Sequence, residues 1–111
     1  MNRLKRDPYD LIAATQITRS VVKLTQGIDF TLIQSEHFND EMKKDGCDLL
    51  DALKVLETGQ IIEPPEADNK TGELKYRVHG RTIDNADAVV VEIFISDAGL
   101  LGLNLVTFWK K

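Results

Sequence analysis

The sequence lacks most of the features that identify common classes of enzyme. Its 111 residues contain one cysteine, Cys47, and two histidines, and no CxxC, HExxH, G-x-S-x-G or glycine-rich phosphate-binding motif. A single cysteine excludes an internal disulfide, and unclustered Cys and His residues predict no metal site. We therefore expect no cofactor, and the sequence does not favour nucleotide-dependent or serine-hydrolase mechanisms.

Long apolar runs are also missing. No stretch approaches the length of a membrane-spanning helix. The basic N-terminus is followed by Asp7-Pro8 rather than by the apolar core of a signal peptide. These absences predict a cytoplasmic protein with no membrane partner. A content of 42% hydrophobic and 29% charged residues is typical of one soluble domain over residues 1–111.

Acidic residues outnumber basic ones, and the charges are unevenly distributed. The net charge is −4, with +3 on residues 1–26, −7 on residues 27–66 and 0 on residues 67–111. Because the overall field repels nucleic acid, a nucleic-acid function would have to depend on a local basic patch.

Helical spacing of apolar residues predicts two helices before residue 45. The first begins after Asp7-Pro8, where Asp accepts hydrogen bonds from free N–H groups and Pro tolerates the first turn, and it stops near Gly27. The second is capped by Ser35 and runs from residue 36 to about residue 44. Residues 28–33 between them are either a short extended segment or a link.

A third helix is predicted from Asp48 to Gly59. Asp51 stands at the position that completes a capping box with Asp48, and Gly59 ends the helix. Its expected buried stripe has Leu53 at the centre and consists of Leu49, Ala52, Leu53 and Leu56.

After residue 60 the period of the apolar residues changes from helical to alternating. We expect a strand that begins at Ile61-Ile62, followed by strands over residues 74–82, 88–95 and 103–109. Turn-forming residues separate them at 68–72 and 84–87, and residues 96–102 form a loop. This order predicts an α+β fold in which N-terminal helices pack on one face of an antiparallel meander sheet of about four strands.

The strand over residues 74–82 carries the most concentrated run of basic side chains. We call Lys75, Arg77, His79 and Arg81 the basic stripe, because alternation places them on one face. Arginine and lysine there would bind a phosphodiester, and histidine would move a proton. The alternative is an ordinary solvated sheet face on which Glu92 pairs with Arg77, so that Arg77→Ala costs only a few tenths of a kcal/mol.

Three residues outside the stripe also need an interpretation. His37 lies four residues before Glu41, which would orient it as a general base; the alternative is an exposed helix histidine. Trp109 is either a surface on which a base stacks or a residue that closes the core. Cys47 has no base near it in sequence and is predicted to be a packed thiol rather than a nucleophile.

Short motifs between residues 35 and 109 follow a family pattern. They are Ser35-Glu36-His37 with Met42 and Gly46, Leu56-Glu57-Thr58-Gly59, Tyr76-Arg77-Val78-His79-Gly80, Val89-Val90-Val91 and Val106-Thr107. Through them, roughly two-thirds of the chain resembles a family of small bacterial domains of unknown function that is grouped with RelE-like and MqsR-like toxins.

The resemblance implies a RelE-like fold and metal-independent cleavage of mRNA, free or on the ribosome, by the toxin of a toxin–antitoxin pair. It places His37 at the motif histidine, and Arg77, His79 and Arg81 in the sheet region that carries catalysis. Glu41 and Asp45 stand where the family pattern has arginines, which reverses the local charge.

Two functional hypotheses follow. The first is a toxin-like endoribonuclease that inhibits translation, with His37, Arg77 and His79 catalytic and with Lys75, Arg81 and Trp109 binding RNA. Its partners would be RNA or the ribosome and an antitoxin. The second is a non-catalytic regulatory or protein-interaction module whose acidic helical segment binds a basic protein. Convergence of the basic stripe with His37 would favour the first hypothesis, and pairing of each cation with a carboxylate would favour the second. A homodimer is compatible with both.

Overall fold

The computed structural model describes residues 10–24, 32–96 and 102–111. Its elements are α1 (Leu11–Leu24), β1 (Leu32–Gln34), α2 (Glu36–Lys44), α3 (Leu49–Thr58), β2 (Glu66–Ala67), β3 (Leu74–Arg81), β4 (Ala88–Ser96) and β5 (Gly102–Lys110), with a 3-10 turn at Ile83–Asn85. Three helices and a five-stranded sheet in these ranges confirm the predicted α+β class. No helix in the described ranges is long and apolar enough to cross a bilayer.

The helices α2 and α3 begin where local sequence signals predict. The Ser35 hydroxyl accepts a hydrogen bond from the N–H of Phe38, and Asp48 and Asp51 form a reciprocal capping box. The described part of α1 begins at Leu11, because Asp10 Oδ1 accepts from the N–H of Ala13 at 2.7 Å. The predicted start at Asp7-Pro8 and the predicted stop at Gly27 lie outside the described residues.

The sheet corrects the predicted topology. Its strand order is β1-β5-β4-β3-β2, and β1 pairs in parallel with β5 while the other pairs are antiparallel. The prediction of a purely antiparallel meander of about four strands is therefore wrong. The additional strand, β1, includes Ile33. This residue belongs to the segment 28–33, for which the sequence allowed either a short extended segment or a link. Ile33 pairs with Asn104, from the opposite end of the chain, so no local pattern could reveal the pairing.

A second correction concerns the predicted strand at Ile61-Ile62. Only Gln60 pairs with β3 there, as an isolated bridge to His79, and β2 begins later at Glu66. Pro64 and Pro65 lie between the two contacts and have no N–H to donate to a ladder. Residues 60–67 therefore follow the edge of β3 while pairing with it only at their two ends.

The core lies between the helices and one face of the sheet. Phe38 of α2 packs edge-to-face on Phe108 of β5, with ring centroids 6.0 Å apart. In α3 the fully buried residues are Ala52, Val55 and Leu56. Leu53, which was predicted at the buried centre, is half-buried. Because α3 packs against both α1 and β3, its fully buried face includes Val55 rather than Leu53. The predicted position of Leu53 at the buried centre is therefore wrong.

The end of α3 approaches β3 closely at a glycine. A Cβ atom on Gly59 would lie 2.5 Å from the carbonyl oxygens of His79 and Val55. Only glycine allows this contact, which places the C-terminal half of α3 beside the end of the basic stripe.

Candidate functional site: the basic stripe and its carboxylate partners

Alternation along β3 places the basic stripe on the sheet face opposite to the helices. Tyr76 is buried on the helix side, so Lys75, Arg77 and His79 lie on the other side, which we call the outer face. Their side chains are 23%, 33% and 18% exposed, respectively. Arg81, at the end of the strand, is exposed. Most of the stripe is therefore half-buried rather than fully solvated.

Arg77 is held by two carboxylates. Its Nε donates to Glu92 Oε2 at 2.9 Å and its Nη2 donates to Glu66 Oε1 at 2.5 Å. The hydrogen bond to Glu92 raises the pKa of Arg77 above its ordinary value. Glu92 itself is only 6% exposed, and Lys75 Nζ lies 3.7 Å from its other oxygen. The predicted Arg77–Glu92 pair is confirmed, with Glu92 directly opposite Arg77 in the register.

His79 is paired with a third carboxylate. Its Nε2 forms a hydrogen bond with Glu63 Oε1 at 2.5 Å, while its buried Nδ1 has no partner among the described residues. Glu63 and Glu66 flank Pro64-Pro65 in the segment that follows the edge of β3. Neither partner was predicted from the sequence, although acidic residues around a rigid Pro-Pro pair and next to a basic strand were a usable signal.

Arg81 differs from the rest of the stripe because its contact is with a neutral group. Its Nη1 donates to the carbonyl oxygen of Asn85 at 3.2 Å, and no described carboxylate pairs with it. Lys54 of α3 reaches the same place, where its Nζ donates to Thr82 O at 2.8 Å and to Asn85 Oδ1 at 2.7 Å. Lys54 was not predicted as a site residue, because no local sequence signal connects it with Arg81.

His37 does not join the stripe. It is exposed on α2, and α2 packs through Phe38 on the helix side of the sheet. The imidazole makes no hydrogen bond or ion pair with any described residue, Glu41 included. Of the three predicted catalytic residues, the fold therefore brings Arg77 and His79 together and places His37 on the other side of the sheet.

Trp109 shares the outer face with the stripe. Val90 of β4 pairs with His79 on one side and with Trp109 of β5 on the other, so the three residues form one row across the sheet. Val90 is 2% exposed and Trp109 is half-buried. Lys75, Arg77, His79 and Trp109 therefore lie on one surface of the sheet.

Cys47 has the environment of a packed thiol. It is half-buried against the core, and its Sγ lies 3.6 Å from the carbonyl oxygen of Asp45. Burial, and next the negative charge of Asp51, raise the pKa of Cys47 above its ordinary value. The thiol is thus protonated at neutral pH and is a poor nucleophile. Within the described ranges no three His, Cys, Asp or Glu side chains converge to hold a metal ion.

The carboxylates of the helical region have no ion-pair partners among the described residues. Residues 36–58 carry seven acidic residues and three lysines. The five contacts between a basic and an acidic side chain of the described residues, His79–Glu63 included, lie on the sheet or in its connecting segments, and none involves α2 or α3. We call these seven side chains the acidic helical surface: Glu36, Asp40, Glu41, Asp45, Asp48, Asp51 and Glu57.

Comparison with known proteins gives one match. Residues 34–100 match the model of a protein family described as a domain of unknown function, DUF4258. This range includes His37, the basic stripe and its three carboxylate partners, but not Trp109. No curated protein and no solved structure matches the chain.

Proposed function

This chain belongs to the DUF4258 family of domains of unknown function, and we propose that it is a non-catalytic regulatory or protein-interaction module whose acidic helical surface binds a basic protein. The observation that carries this proposal is the distribution of ion pairs. Three of the four stripe residues pair with the chain's own carboxylates, whereas the helical carboxylates pair with no described cation.

Electrostatics gives the physical basis. A surface with a net charge of −4 over residues 36–58 attracts a cationic partner and accelerates its association. Exposed acids such as Glu36 and Asp40, which lie one helical turn apart, need no internal partner because water solvates them. Binding through them should weaken with salt, since charges separated by more than about 8–10 Å are screened at physiological ionic strength.

The test is selection of binding peptides from a random library at low salt. The wild-type protein should enrich peptides rich in Lys and Arg, and Glu36→Gln/Asp40→Asn should reduce that enrichment. The control Glu73→Gln/Asp84→Asn makes the same change in net charge at exposed residues of the sheet connections. Enrichment of peptides without basic residues, or an equal loss in the control, would contradict the proposal.

The second candidate is the toxin-like, metal-independent mRNA endoribonuclease with a RelE-like fold that the family resemblance implies. One observation favours it: Lys75, Arg77, His79 and Trp109 share the outer face, and that face already binds anionic oxygens, those of Glu63, Glu66 and Glu92. In this proposal an RNA phosphate displaces Glu63 and Glu66. Arg77 then stabilises the additional negative charge on the phosphate while His79 transfers a proton.

The two candidates differ in what happens when the acidic partners are removed. If the stripe binds RNA, Glu63→Gln/Glu66→Gln should bind RNA more tightly and with a steeper salt dependence than wild type. Arg77→Ala should weaken that binding, and the Glu73→Gln/Asp84→Asn control should not improve it. RNA binding and cleavage are measured at two salt concentrations, and growth is followed after induced expression.

The same titrations examine His37. The sequence-based hypothesis expects His37→Ala to remove cleavage and to preserve binding, because proton transfer and charge neutralisation are separate tasks. The position of His37 across the sheet instead predicts unchanged cleavage in this variant. Normal growth, together with no RNA binding or cleavage by wild type and by Glu63→Gln/Glu66→Gln, would exclude the nuclease.

A further inference from the structure

Two cations at the end of β3 are fixed in place without being neutralised. Lys54 is anchored by Thr82 O and Asn85 Oδ1, and Arg81 by Asn85 O, all of which are neutral oxygens. Neither side chain has a carboxylate partner among the described residues. Their positive charges are therefore available to a ligand, unlike those of Arg77 and Lys75.

These cations border a depression between α3 and the end of β3. Its volume is about 480 Å³, within the range of small-molecule sites. The depression forms where two glycines let α3 and β3 approach: a Cβ on Gly80 would lie 3.2 Å from Val55, and Gly59 is more constrained still. No carboxylate of the described ranges lines it; its lining residues there are Lys54, Thr58, Gly59, Gln60, His79, Gly80, Arg81 and Asn85.

The lining is rich in hydrogen-bond donors. Lys54 uses two of its three N–H groups, and Arg81 uses one of its five donors on Asn85. The Gln60 amide is exposed and has no side-chain partner among the described residues. Asn85 Oδ1 accepts from Lys54, which leaves the Asn85 NH₂ group as two further donors. A donor-rich site with two positive charges fits a tetrahedral oxyanion rather than a cation.

The helix dipole opposes an anion at this place, and the fold offsets it. The depression lies at the C-terminal half of α3, where free carbonyl groups carry partial negative charge. Arg19 of α1 donates from its Nη2 to Gly59 O at 2.8 Å and to Thr58 O at 3.2 Å. Its guanidinium thereby places a positive charge on two carbonyl groups at this end of α3.

We propose that this depression binds a phosphate group, with the Lys54 ammonium and the Arg81 guanidinium as its two charged contacts. The volume accommodates a phosphate that carries an organic group, as in a free nucleotide or in a phosphate of an RNA chain. The depression shares His79 with the carboxylate-paired part of the stripe. Its two charged contacts, however, pair with no described carboxylate, so the proposal does not rest on either proposed function.

The test is a series of calorimetric titrations of the full chain with inorganic phosphate, a nucleoside monophosphate, and a short single-stranded RNA with and without a 5′-phosphate. At least one of these probes should bind saturably, and binding should weaken with added salt. Arg81→Gln and Lys54→Gln should each weaken it about tenfold, the size expected for loss of one charge-assisted contact. Lys70→Gln, which removes the same charge from an exposed turn, should change it less than about twofold.

The pattern among the probes identifies the source of the phosphate. Binding of the free phosphate or the nucleotide supports a small-ligand site, and binding of RNA alone supports a nucleic-acid site. No saturable binding of any probe at millimolar concentration would overturn the proposal, as would equal losses in Arg81→Gln and Lys70→Gln. Arg81 is exposed, so Arg81→Gln should remain folded even if Lys54→Gln does not, and thermal unfolding checks this. Basic-peptide enrichment should be unchanged in Arg81→Gln, which separates this result from failure of the interaction module.

Discussion

The outer face of the sheet and the helical layer use charge in opposite ways. On the outer face Glu92 is almost fully buried, and two cations, Arg77 and Lys75, lie within ion-pair distance of it. In the helical layer the carboxylates, such as those of Glu36 and Asp40, have no ion-pair partner among the described residues. A buried charge must be paired, whereas an exposed charge is solvated by water.

This difference separates the sources of stability in the two regions. The helical layer is held by apolar burial, through fully buried residues such as Phe38 and Leu56, and its charges contribute little. The outer face depends on its ion pairs, because removing one partner leaves another charge desolvated. A charge change should therefore be tolerated on the helices and should destabilise the sheet.

The largest expected effect tests apolar burial in the helical layer. Leu56→Ala should reduce the free energy of unfolding by about 2–5 kcal/mol, because Leu56 is fully buried between α3 and the sheet. Leu53→Ala removes the same atoms from a half-buried position and should cost roughly half as much. Urea denaturation measures both, and equal losses would mean that the two leucines are buried alike.

A smaller effect is expected on the outer face. Arg77→Ala should cost about 1–2 kcal/mol, because among the described cations it leaves the buried Glu92 with Lys75 alone, at 3.7 Å. Partial exposure of Arg77 keeps the loss at this level. The expected loss exceeds the few tenths of a kcal/mol predicted for a solvated face. Lys70→Ala, in an exposed turn, is the control for urea denaturation. Equal losses of unfolding free energy in both variants would show that the ion pairs of Arg77 do not stabilise the outer face.

Within the acidic helical surface, only a carboxylate that caps a helix should matter for stability. Asp48→Ala should cost about 1 kcal/mol, because Asp48 accepts from the N–H of Asp51 at the start of α3. Asp40→Ala, on the exposed face of α2, should stay within about 0.5 kcal/mol of wild type. A loss above about 1 kcal/mol for Asp40→Ala in thermal unfolding would show that this surface does support the fold.

The smallest effect concerns the thiol beside these acids. Burial, and then Asp51, raise the pKa of Cys47 above its ordinary value of 9.0. Because the folded state disfavours the thiolate, this contribution to stability is present below that ordinary value and is lost as the pH rises through the folded pKa. Iodoacetamide should react with Cys47 more slowly in the native protein than in urea at mildly alkaline pH. Equal rates would contradict the raised pKa.

Local signals account for the parts of the structure that the sequence determined. The starts of α2 and α3 depend on Ser35 and on the Asp48–Asp51 pair, which act on N–H groups within three residues. The short turn between β3 and β4 fixes their register, and this register places Glu92 opposite Arg77. For the same reason the outward orientation of the stripe could be predicted from alternation alone.

Tertiary structure decided the features that join distant parts of the chain. The parallel strand β1, the carboxylate of Glu63 beside His79, the separation of His37 from the stripe and the meeting of Lys54 with Arg81 all depend on how elements pack. Hydrophobic burial directs that packing, and burial is non-directional, so a sequence pattern specifies which face is covered but not which element covers it. The sequence alone therefore determined where the charges of this protein lie along the chain, and only the packed fold decided which of them are neutralised and which remain available to a partner.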